Sequence, residues 1–172
     1  MKRECLLFAI IIFGMVFIQG CISTACLSDF SKSSKSYNFV NISNSRKGFN
    51  EKSWNSRTGF EYYISTDNID SALIVSSIVG SLQKNGYSIK IKDTKNGTII
   101  GKRGVRANEW NSITGVYYQK GEEGYQIYIK SKITQDFTGG WKEDRARQIG
   151  EIICRKLNNC KESYSVDTEK LR

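Results

Sequence analysis

Between residues 60 and 160 the chain alternates two hydrophobic periods. Phe60 to Ile64 (FEYYI) is rich in strand formers, and the cap-like Ser65-Thr66-Asp67 follows it. Ile69, Ala72, Leu73, Val75, Ser76, Val79 and Leu82 then recur at i, i+3, i+4 and i+7, which predicts a helix over 68–85 closed by Asn85-Gly86. Tyr87, Ile89 and Ile91 alternate with Ser88, Lys90 and Lys92 as in a half-buried strand. Asp93 to Gly97 reads as a primed Asn-Gly turn leading into a second strand, Thr98 to Arg103. Asn111 to Lys120 and Tyr125 to Ile133 extend the meander across Gly121-Glu122-Glu123-Gly124. In the last strand Tyr125, Ile127, Ile129 and Ile133 share one face, while Gln126, Tyr128, Lys130 and Lys132 share the other. A second helix spans 141–158, with Ala146, Ile149, Gly150, Ile153 and Leu157 as its apolar stripe.

These elements give the order β-α-β-β-β-β-α. The expected fold is α+β: an antiparallel four- to five-stranded meander sheet with two helices packed on one face. Residues 21–59, rich in Ser, Asn and Lys without a sustained period, read as a flexible basic tether, and residues 161–172 as a frayed tail. The folded domain is then 60–160.

The N-terminus differs in kind. Met1-Lys2-Arg3-Glu4 is followed by thirteen apolar residues, Leu6 to Ile18, as in the basic and hydrophobic regions of a secretory signal. Ile18-Gln19-Gly20-Cys21 resembles the lipobox of a bacterial lipoprotein signal. The resemblance implies removal of residues 1–20 and attachment of a diacylglycerol to Cys21. It also implies a lipid-anchored place in the cell envelope, facing the periplasm from the outer membrane if the organism has two membranes, since Ile22 rather than Asp follows Cys21. Two or more acyl chains anchor stably, because each buried CH₂ contributes roughly 0.8 kcal/mol. An uncleaved span from Cys5 to Ser28, or cleavage after Ser23-Thr24-Ala25, is an alternative use of the same residues. The predicted layout likewise resembles the small α+β domains of bacterial envelope lipoproteins, including the helix-grip type of outer-membrane assembly accessory proteins.

Charge refines this picture. The formal net charge of +9 suggests a nucleic-acid binder at first. Of that total, +4 lies on residues 21–59 and +4 on residues 60–172. In an exported protein the matching partners are anionic lipid, anionic glycan or an envelope protein, and no nucleic acid is expected. Candidate contact residues are Lys90, Lys92, Lys102, Tyr128, Lys130 and Lys132 on the open sheet face, with Arg103, Arg106 and Trp110 in the loop that follows the second meander strand. The plain alternative is a solvated face whose lysines guard strand edges.

The chain contains no His, which removes Ser-His-Asp and Cys-His catalysis and the commonest metal ligand. Without CxxC spacing, neither zinc nor redox catalysis is indicated, and no metal or cofactor is expected. Asp67, Asp70, Asp93, Glu109, Glu122 and Glu123 mostly sit at caps or turns and specify no acid–base pair. The favoured function is thus a non-enzymatic interaction or accessory module held to membrane lipid through acylated Cys21. The rival is a soluble periplasmic or secreted carboxylate-based enzyme acting on envelope polymers. For disulfides, Cys26 to Cys160 is one option; Cys154 to Cys160 requires the second helix to end near Asn158.

Overall fold

The computed structural model describes residues 26–48, 59–104, 111–133, 144–158, 160–167 and 171. It is an α+β fold built on a single antiparallel sheet of six strands. Strands β1 (Phe60–Ser65), β2 (Ser88–Asp93), β3 (Thr98–Arg103), β4 (Ser112–Lys120), β5 (Tyr125–Ile133) and β6 (Glu162–Ser165) lie in the order β2-β3-β4-β5-β1-β6. The meander β2 to β5 is as expected. β1 adds antiparallel to β5, with Phe60 opposite Ser131 and Ser65 opposite Gln126.

Helix α1 (Phe39–Ser43) is short; α2 (Ser71–Lys84) and α3 (Arg145–Lys156) are the two anticipated from periodicity. α2 starts later than expected, because the Asp70 carboxylate, and not Ser65-Thr66-Asp67, accepts the Ala72 N–H at 3.1 Å as its cap. It ends where Gly86 takes φ 79° and Tyr87 N–H donates to the Leu82 carbonyl at 3.0 Å. In α3, Asp144 caps the Arg147 N–H at 2.9 Å. Ile74, Ile78 and Leu82 of α2 and Ala146, Ile149 and Ile153 of α3 pack on one sheet face with Tyr62, Ile64, Ile99, Val116, Ile127 and Ile129. Gly150 permits the close approach: a Cβ there would lie 2.5 Å from the Tyr62 ring.

Four expectations change. Residues 26–48, assigned to the flexible tether, are folded, because the sheet's second face is also apolar and needs a cover. Phe39 and Ile42 bury against Tyr63, Tyr117, Tyr128, Tyr164 and Val166, and Phe30 against Ile100 and Ile113. The supposed frayed tail supplies β6, whose Tyr164 stands opposite Tyr63 of β1, in the apolar cluster beneath Phe39. Cys160 pairs with Cys154 and not with Cys26, which is free and exposed. Helix α3 stops at Lys156 and Asn158 adopts φ 61°, so the chain reverses and brings the two Cα atoms to 5.3 Å. Finally, β2 carries a bulge at Lys90: Ile89 pairs with Gly101 but Ile91 with Ile100, so the two isoleucines point to opposite faces instead of sharing one.

The turn after β2 differs too. Only Gly97 has positive φ, at 60°, so this is not the primed Asn-Gly turn, which needs it at both residues. Asp93 closes it by accepting the Asn96 backbone and side-chain N–H groups at 3.0 and 2.7 Å. These bonds hold the Asp93 carboxyl below its ordinary value.

If residues 26–48 are a structural layer, Phe39→Ala removes a fully buried ring and is expected to lower stability by about 3–5 kcal/mol in urea unfolding. Val40→Ala, at a residue 63% exposed, should change it by less than about 0.5 kcal/mol.

Candidate functional site

The candidate surface divides when folded. Lys102 and Lys132 flank Ile113 in one row across β3, β4 and β5, and in the next row Lys130 stands opposite Gly115 of β4 and Glu61 of β1. At about 4.8 Å between strands, Lys102 and Lys132 lie roughly 10 Å apart. Ile113 packs with Phe30, Ile100 and Leu27, and the Lys130 ammonium lies 6.0 Å from the Phe30 ring centre. Three lysines therefore surround the place where the chain's first described residues settle on the sheet. Among the described residues, none of the three has an acidic partner.

The remaining candidates lie elsewhere. Lys92 is opposite Ile99 on the helix-bearing face, and Lys90 occupies the bulge at the sheet edge; both are exposed. Arg103 is buried against the end of α2, where its Nη1 donates to the Asn85 carbonyl at 3.1 Å and its guanidinium lies 5.8 Å from the centre of the Tyr87 ring. A cation there complements the negative end of the helix. Arg103 thus serves the fold, contrary to its assignment to a contact surface. Arg106, Trp110 and Cys21 fall outside the described residues.

Tyr128 is buried as well, and so is no part of an open platform. Its hydroxyl donates to the carboxylate of Glu61, itself only 3% exposed. Tyr117 and Tyr37 complete a ring cluster over this pair: the Tyr37 centroid is 4.3 Å from that of Tyr117 and 5.1 Å from that of Tyr128. Tyr117 donates to the Phe30 carbonyl at 2.6 Å, tying β4 to the covering segment. A Cβ on Gly115 would lie 2.5 Å from the Tyr117 hydroxyl, so a glycine is what lets that side chain cross the strand. Burial, then the Glu61 charge, pushes the Tyr128 phenol well above its ordinary value. Burial, then Tyr37, does the same to Tyr117. Sequence reasoning missed Glu61. Its signal was a lone carboxylate at the second position of the Phe60-Glu61-Tyr62-Tyr63-Ile64 strand, on the same face as Tyr63.

Four of the other carboxylates singled out, Asp67, Asp70, Asp93 and Glu123, do structural work. Lys161 bridges Asp67 at 3.3 Å and Glu123 at 3.4 Å, pinning the start of β6 beside the β1 and β5 ends; those contacts raise the lysine above its ordinary value. Asp70 and Asp93 are the helix cap and turn closure already described. Glu109 falls outside the described residues. Among the described residues, no three His, Cys, Asp or Glu side chains form a metal-binding group, and no helix is long and apolar enough to cross a membrane. No protein-family model matches the chain, and no curated protein matches it.

The geometry makes the Glu61–Tyr128 pair a stability element. Tyr128→Phe deprives the buried carboxylate of its phenol donor and is expected to cost about 1–3 kcal/mol in urea unfolding. The folded phenols of Tyr128 and Tyr117 are raised, so the unfolded chain releases its protons first. Stability is then full below the unfolded tyrosine value near pH 10 and falls as pH rises beyond it. Alkaline unfolding followed by circular dichroism should show this loss, and Tyr117→Phe with Tyr128→Phe should reduce it, the remainder coming from Tyr37, Tyr62, Tyr63, Tyr118 and Tyr164, which are raised as well.

Proposed function

We propose that this protein is a lipid-anchored module of the cell envelope, non-enzymatic in type. In this reading it is tethered through acylated Cys21 and lies against anionic head groups by Lys102, Lys130 and Lys132. The observation that carries the reading is the docking of Leu27 and Phe30 beside the row Lys102–Ile113–Lys132. Cys21 precedes Cys26 by five residues, a span of at most about 18 Å. An acyl chain on Cys21 would therefore hold this part of the sheet close to the lipid surface, within reach of long lysine side chains. The basic residues Lys32 and Lys35, exposed on the same covering segment, add to the attraction. The tether of the sequence reading gives way here to a short leash and a folded collar. An accessory module fits a domain in which Asp67, Asp70, Asp93, Asp144 and Glu123 are engaged as caps, turn closure and bridges.

Two measurements test the reading. Cys21→Ala is expected to abolish metabolic labelling by a palmitate analogue and to leave an unprocessed precursor on gels; undiminished labelling would sink the anchor. Reversing the charge of Lys102, Lys130 and Lys132 in the polypeptide from Ile22 onward should weaken co-sedimentation with phosphatidylglycerol vesicles. At about 1 kcal/mol per cation, loss of the three attractions alone is roughly a hundredfold at low salt, and the reversed charges add to it. Equal retention of the variant would remove the lipid-facing role of this surface.

A further inference from the structure

The two edges of the sheet are treated differently. Beyond β6, the covering segment closes the edge: Arg46 bridges Val166, and Lys47 N–H donates to the Ser165 carbonyl at 2.9 Å. β2 is the opposite edge, and among the described residues its outer side pairs with nothing. Outward backbone N–H and C=O groups of an edge strand accept a further strand, and here the regular stretch is Ile91 to Asp93, beyond the bulge at Lys90.

Beside that edge runs a groove of about 570 Å³ between α2 and the β2 end, with Ala72, Val75, Val79 and Gly80 on one wall and Lys92 on the other. The wall residues of α2 run from Ser71 to Gln83, roughly 18 Å along the helix axis at 1.5 Å per residue. An extended peptide covers that length with about five residues. The wall is apolar or small for most of its length, so alternate side chains of such a peptide find an apolar surface to pack on. At the Ser71 end the groove meets a second hollow of about 450 Å³, which shares Ser71, Val75 and Thr94 and is walled by Lys35, Lys95 and Lys120. Gly80 leaves room for the Lys156 ammonium of α3, whose Nζ lies 2.1 Å from where a Gly80 Cβ would stand.

We infer that this groove and the edge of β2, unpaired among the described residues, together bind an extended acidic segment of a partner protein by strand addition, its alternate apolar side chains seated against Val75 and Val79. Charge selects the occupant. Lys90 and Lys92 on β2, with Lys95 and Lys120 beyond, would repel β2 of a second copy but attract carboxylates. The backbone edge supplies affinity and the groove supplies register, the division of labour found wherever a peptide augments a sheet. This inference does not rest on the lipid anchor, since the groove lies on the helix-bearing side of the sheet, away from Lys102, Lys130 and Lys132.

The test uses the full chain in detergent micelles and a fluorescent heptapeptide of alternating Glu and Val. Binding should weaken at least tenfold with Lys92→Glu, with Val75→Asp, and with a peptide N-methylated at alternate amides. The N-methylated peptide keeps its side chains and charge but cannot pair with an edge. A heptapeptide of alternating Lys and Val should bind the Lys92→Glu protein better than it binds wild type. Circular dichroism of each variant separates lost binding from lost folding, and Lys92, being exposed, should leave folding intact. Equal affinity of the N-methylated peptide, equal affinity of the Lys92→Glu protein, or no binding of the acidic peptide at millimolar concentration would each overturn the inference.

Discussion

The structure depends on one constraint: its sheet is apolar on both faces. A sheet with a single buried face needs only α2 and α3, which cover Tyr62, Ile64, Ile99, Val116, Ile127 and Ile129. Here Tyr63, Ile100, Ile113, Tyr117 and Tyr128 point the other way, and leaving them in water would forgo the burial of five large side chains. A second layer is therefore obligatory, and the chain provides it from residues 26–48 and from β6. Tyrosine suits this inner boundary. Its ring buries area against Phe39 and Ile42, while its hydroxyl reaches a polar partner such as Glu61 or the Phe30 carbonyl.

Covering the second face in this way decides where charge can remain. Lysines in the rows beside Phe30 and Ile113 cannot be covered by an apolar segment, so they stay at its margin with their stems over the core and their ammonium groups outward. Glu61 has the opposite fate: beneath the covering layer, a carboxylate survives burial only with donors, and Tyr128 is one. The net charge that first suggests nucleic acid is thus sorted by burial into a lysine group at the margin of the covering segment and an enclosed acid. On the proposed reading, the lysine group faces lipid because the shortest stretch of chain joins it to Cys21.

Periodicity made most of the helix-bearing half legible. The apolar stripes of α2 and α3 and the alternation of β3 to β5 carry their own signals, and the meander follows from short turns. What escaped is what depends on distant partners. Phe30, Phe39 and Ile42 are too widely spaced in a polar stretch to show a period, and they become core only because the tyrosines of β1, β4 and β5 await them. β6 is four residues long and has no cover of its own, so its strand character comes from β1. The Cys154–Cys160 bridge hinged on a single backbone conformation at Asn158. Of the candidate lysines, Lys90, Lys92 and Lys102 are exposed while Lys130 and Lys132 are half-buried, and their grouping assumed an unbroken alternation in β2.

That alternation fails at one residue, and the failure organises both surfaces. The extra residue at Lys90 turns Ile91 toward Ile100 on the second face, completing the apolar patch on which Leu27 and Phe30 rest. It also turns Lys92 toward the first face, where it becomes a wall of the groove beside α2. Without the bulge, Ile91 would stay with Ile89 among the helix-side residues and Lys92 would join Lys102 beside the covering segment. A bulge also twists an edge strand and resists casual pairing with another copy of itself. One inserted residue thus separates a lysine cluster around the N-terminal segment from a basic groove at the sheet edge, so that the two can take different partners.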